Sequence, residues 1–108
     1  MPSTSLRQIS WSIRWRLILL VKPYQDFCLQ SGTKLRLFKE NVEEDELIWH
    51  QDEQDREITI VDGVGWKLQF DDELPFDLEI NETYKIPKMV YHRLHKGDGN
   101  LLVNIKEK

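Results

Sequence analysis

The chain has 108 residues, 40% of them hydrophobic, and a formal net charge of -4. That length gives one domain with one core, and the acidic balance disfavours a nucleic-acid-binding body. The single cysteine, Cys28, excludes an internal disulfide and a paired-cysteine zinc site, and it fits a reducing compartment, so we expect a cytoplasmic protein.

Residues 1–10 are polar and aperiodic and read as a frayed terminus. From Trp11 to Val21 apolar residues alternate with Ser12, Arg14 and Arg16, which is a strand period rather than a helical one. The apolar run from Leu17 to Val21 is far below the roughly 20 residues that cross a bilayer, and we expect no membrane association. Residues 1–33 are taken as an N-terminal extension with one strand, closed by a turn at Ser31-Gly32.

From Lys34 onward short alternating segments are separated by turn signals at near-regular spacing, the pattern of an all-β antiparallel barrel over residues 34–108. Strands are expected over 34–39, 46–49, 57–61, 66–70, 76–80, 84–87, 90–94 and 101–105. Gly63-Val64-Gly65 and Gly97-Asp98-Gly99-Asn100 read as hairpin connections, and Asn81-Glu82 as a turn into another hairpin, with Asn81 able to take the left-handed conformation.

Two segments carry the chemistry. The first, WHQDEQDREITIVDGVGW over 49–66, is similar to the first motif of the cupin family, His-x-His followed by Glu and a strand ending in Gly. The second, NETYKIPKMVYHRLHKGDGNLLVNI over 81–105, resembles the second cupin motif, in which Pro-x-Gly-x-x-His closes the pattern; Pro87 and His92 have that spacing, and Met89 stands at the glycine. The resemblance is to small single-domain cupins of bacterial or phage type, and it implies a double-sheet jelly roll with a divalent metal held by three histidines and a glutamate. His50 matches the first histidine and His92 the last. Asp52 stands at the second histidine and Arg56 at the glutamate, with Glu57 one residue out of register.

Two readings compete for this pocket. In one, His50, Asp52 and His92 form a two-histidine, one-carboxylate set suited to iron, manganese, nickel or zinc, joined by Glu57 only if a bulge turns it inward. In the other, the metal is lost, and Arg56 with the histidines binds a small sugar-like or carboxylate ligand, Arg56 pairing with Asp52 or with the ligand. Lys67 and Gln69, which alternate with the apolar Trp66, Leu68 and Phe70, are expected to line the pocket. His95 and Tyr91 are expected to face outward, as is Trp49, which would serve packing or a homodimer contact. Enzyme chemistry is left open, beside a structural domain without catalysis, because cupin folds host many unrelated activities.

Overall fold

A computed structural model describes residues 23–107. The expected strand over 11–21 lies outside the described residues. Eight strands follow in chain order: β1 (Gln25–Cys28), β2 (Lys34–Phe38), β3 (Arg56–Val64), β4 (Lys67–Phe70), β5 (Phe76–Asp77), β6 (Thr83–Ile86), β7 (His92–His95) and β8 (Asp98–Glu107). One sheet has the order β1-β2-β8-β3-β6 and the other β5-β4-β7, all neighbours antiparallel. The larger sheet therefore takes in residues ahead of Lys34. Among the described residues no helix is long and apolar enough to cross a membrane.

Alternation decides which face each strand buries. On β2, Arg36 and Phe38 are buried while Leu35 and Leu37 are half-buried on the other face. On β3, Ile58 and Ile60 turn inward, and on β8, Leu101, Val103 and Ile105 do so. The two inner faces close on Ile60, Trp66, Leu68 and Leu101, each with almost no exposed surface. Burying side chains of this size stabilises the fold by roughly 1.5–3 kcal/mol each. Val42 and Leu47, on either side of a single 3-10 turn over Glu44–Glu46, cover this core from the long β2–β3 connection.

The hairpins expected at the two glycine-rich segments are not hairpins. β3 and β4 belong to different sheets, as do β7 and β8, so both segments carry the chain from one layer to the other. The two crossings meet: a side chain added at Gly97 would lie 2.3 Å from the Val64 carbonyl oxygen and 2.4 Å from the Trp66 nitrogen. Backbone packs on backbone there, which is why the chain needs glycine at that point. Asn81 does take a positive φ, 71°, but β5 and β6 likewise lie in different sheets. The strand expected over 46–49 is replaced by the 3-10 turn and an extended segment reaching His50.

Along β3 and β8 the inner face divides into two zones. Ile60 and Leu101 sit in the packed core near the glycine crossing, whereas Arg56, Ile58, Val103 and Ile105 line a cavity of about 320 Å³ at the other end. A barrel of this size has room for its own side chains or for one small ligand. Here the closed end takes the former and the open end has space for the latter.

Candidate metal centre

His50 and His92 are neighbours because their backbones pair. Each N–H donates to the other's carbonyl, at 3.0 and 2.9 Å, in an isolated antiparallel bridge that extends the smaller sheet beyond β7. Residues directly opposite one another in such a pair place their side chains on the same face. The imidazole centroids are accordingly 4.3 Å apart, edge to face. His92 is buried and His50 lies at the exposed rim.

The loop that carries Asp52 is held against the β6–β7 connection. The Met89 N–H donates to the Asp52 carbonyl at 2.7 Å, and the Lys88 N–H donates to Asp55 Oδ1 at 2.8 Å. Asp55 thus has a positioning role. Met89, at the glycine position of the second motif, has φ 63°. The turn keeps the left-handed geometry that glycine adopts freely, at a cost of about 1–2 kcal/mol for an L side chain.

His50, Asp52 and His92 each direct a ligand atom into one spot, with the three atoms within 4.8 Å of one another. The Nδ1 of His50 donates to the Ile48 carbonyl at 3.1 Å, and the Nδ1 of His92 to the Val90 carbonyl at 2.9 Å. A carbonyl only accepts, so both Nδ1 atoms carry the proton and both Nε2 atoms present a lone pair. His92 Nε2 lies 3.4 Å from Asp52 Oδ2, a buried oxygen that no hydrogen bond reaches. Burial lowers the His92 pKa from its ordinary 6.5, and the neighbouring His50 adds to this; the Val90 hydrogen bond and the Asp52 charge oppose it. Desolvation dominates, which keeps the ring neutral and able to ligate.

Arg56 enters the same cavity from β3. Its Nη1 is 3.2 Å from Asp52 Oδ1, while its Nε donates to Glu107 Oε2 at 2.9 Å and its Nη2 lies 2.7 Å from the same oxygen. Asp52 therefore has one oxygen on the guanidinium and the other on the histidine side. This carboxylate orientation is what a ligating aspartate needs. Two imidazole lone pairs and an orphaned, buried carboxylate oxygen converge on one point, a donor set that fits a cation.

The condition set for Glu57 is not met, and two expectations about the pocket are corrected. Glu57 does not join the site: it pairs across to Lys85 and Lys106, and the register shifts in β3 come later, beyond Ile60, so alternation keeps it on the face opposite Arg56. Lys67 and Gln69 do not line the cavity either. Lys67 ion-pairs with Asp77 across the β4–β5 ladder. Gln69 bonds His95 Nε2 at 2.7 Å and donates to the Glu73 carbonyl. The two faces of β4 do alternate, but in a barrel the apolar face, here Leu68, faces both core and pocket. His95, Tyr91 and Trp49 lie off the cavity, and the Arg93 guanidinium sits 5.8 Å from the Trp49 ring centroid.

Sequence reasoning missed Arg36 and Glu107. Arg36 shares its parity with Phe38 on β2, a signal that placed it inward. Nothing local marks Glu107, which meets Arg56 only through the β3–β8 register.

No family model and no curated protein matches the sequence. Solved structures do match in shape. A cupin-2 domain protein from Shewanella frigidimarina superposes with TM-score 0.57 at 20% identity, covering 91% of this chain and 92% of that one. A cupin domain from Bordetella pertussis gives TM-score 0.55 at 15% identity over 79% and 91% of the two chains. The chain has the cupin fold. A third cupin-shaped match, Fe(II) HppE, has TM-score 0.59 at 10% identity; it covers 79% of this chain and 48% of that one. At these identities the likeness speaks for the fold, while the site stands on its own geometry.

Proposed function

We propose that this cupin binds one divalent metal ion through His50 Nε2, His92 Nε2 and Asp52 Oδ2, at the head of a cavity that admits a small molecule. The observation that carries this reading is Asp52 Oδ2: a carboxylate oxygen buried without a hydrogen bond is costly unless a cation completes it. Two nitrogens and one oxygen from one side leave the remaining positions of an ion open, an arrangement that suits iron(II) and also manganese, nickel or zinc. When bound, such an ion polarises an oxygen of a ligand placed at an open position.

The protein's own residues hold the donors ready. The Ile48 and Val90 carbonyls fix both imidazoles in one tautomer, and Arg56 fixes the carboxylate. The metal-free alternative, in which Arg56 receives an anionic ligand, is less well supported, because that guanidinium already serves Asp52 and Glu107.

Metal analysis of the purified full chain, followed by calorimetric titration with zinc and with iron(II), tests the reading. About one ion per chain is expected, with His92→Ala and Asp52→Ala each losing uptake while remaining folded. A wild-type chain that takes up neither ion would sink it.

A further inference from the structure

The cavity beyond the metal donors carries information about what it holds. Among the described residues two arginines line it, and both are occupied. Arg36 is buried, donates Nε and Nη2 to the two oxygens of Asp26 at 2.8 and 3.0 Å, and stacks 3.7 Å over the Tyr24 ring. Arg56 is held by Asp52 and Glu107 as described. Each of these two cations is thus matched by a carboxylate, and Glu46, also in the wall, adds a further negative group.

Apart from the Tyr24 hydroxyl and the three donors at its head, the rest of the described lining is hydrocarbon and aromatic. Phe38 and Ile58 from the larger sheet face Leu68 and Leu94 from the smaller, with Val103 and Ile105 between. Leu94 stands two residues after His92 on the same strand face, so the apolar wall begins directly behind the metal donors. The volume, about 320 Å³, is roughly twice that of an engineered 150 Å³ apolar cavity that takes benzene.

A sugar would bring several hydroxyls to walls that are mostly apolar and whose arginines are already engaged, at roughly 1–3 kcal/mol for each hydroxyl left unpaired. In the metal-free cavity a carboxylate would lose its hydration and find both guanidiniums already engaged and carboxylates beside them. We propose that the cavity binds an uncharged, largely apolar molecule of one or two rings, its single polar group directed at His50, Asp52 and His92. This rests on the reading of those three side chains as the polar head of the cavity.

The test is calorimetric titration of the full chain, zinc-loaded and chelator-treated, with 1-naphthol, 1-naphthoate and glucose. We expect 1-naphthol to bind at one site, 1-naphthoate to bind the chelator-treated chain on the order of a hundredfold more weakly, and glucose to give no heat. Glucose binding as tightly as 1-naphthol, or 1-naphthoate doing so in the chelator-treated chain, would overturn the inference, as would a folded chain that ignores 1-naphthol in both states. Leu94→Trp and, as a second filling variant, Val103→Phe should abolish 1-naphthol binding while zinc stoichiometry persists; unchanged affinity in both variants would place the probe elsewhere and refute the assignment. Zinc uptake is scored in the same samples. Naphthol binding without zinc uptake upholds the ligand class and refutes the metal; zinc uptake without naphthol binding does the reverse.

Discussion

Arg56 grips Asp52 at Oδ1, 3.2 Å from its Nη1, and leaves Oδ2 turned toward His92 at 3.4 Å. The same guanidinium is anchored at the barrel end by Glu107, whose other oxygen lies 3.7 Å from the Lys34 amine. A carboxylate at the end of the last strand thereby sets the orientation of Asp52, the proposed metal donor, on a loop of the opposite layer. Glu107 is itself held in its charged form, its pKa lowered first by the hydrogen bond from Arg56 and further by the nearby cations of Arg56, Lys34 and Arg36.

This chain of contacts predicts the effect of Glu107→Gln. Arg56 loses its anchor, and its charge is left unneutralised beside His50, Asp52 and His92, so both changes act against a cation bound there. Metal affinity should fall roughly tenfold, with ion stoichiometry unchanged, as read by competitive titration against a chelator. An affinity equal to or above that of the unaltered chain would show that Glu107 does not act through Arg56.

Acid should destabilise the metal-free protein, and the sign follows from His92. Its folded pKa lies below the ordinary 6.5, so between 6.5 and that lowered value the unfolded chain binds a proton that the folded chain does not. Stability is therefore fully present above 6.5 and declines as pH falls through this window, levelling below it. Glu107 extends the loss downward: its stabilisation is present above 4.5, its ordinary value, and disappears as pH falls toward the lowered folded value. The urea midpoint is expected to be lower at about pH 5 than at about pH 7.5, and His92→Gln should shrink that difference. A variant with the full pH dependence of the parent would remove His92 as the cause.

The crossing of the two glycine-rich segments predicts a sharp contrast between neighbouring positions. Gly97→Ala would press a methyl group against the backbone of Val64, Gly65 and Trp66, none of which can move without separating the sheets. The loss should exceed about 3 kcal/mol or prevent folding. Gly99→Ala meets nothing within 4 Å and bears only the strain of φ +68°, about 1 kcal/mol. Denaturant unfolding of the two variants checks this; similar losses in both would mean that the crossing is not packed as described.

Local sequence was enough for the class of fold and for the head of the cavity. Period-2 alternation broken by Gly, Asn and Pro is a short-range signal, and it was legible as antiparallel β structure from Lys34 to Ile105. His50, Asp52, Arg56 and His92 stand at motif spacing, and the four-residue separation of Asp52 and Arg56 suffices for the ion pair that forms between them. Alternation also separates Arg56 from Glu57 once no bulge intervenes.

What alternation lacks is an absolute inside. It states that Leu68 and Lys67 face opposite ways, and only closure of the two sheets decides that the apolar side faces core and cavity together. It likewise marks a chain reversal at Gly65 and Gly97, but whether the next strand pairs with the last one or crosses to the other layer depends on the backbone contact between the two glycines. The partners that complete the site come from farthest away. Glu107 reaches Arg56 through the register of β3 against β8, and Asp26 occupies Arg36 through that of β1 against β2. Those long-range pairings account for the charges in the cavity wall, and with them for the kind of molecule it can hold.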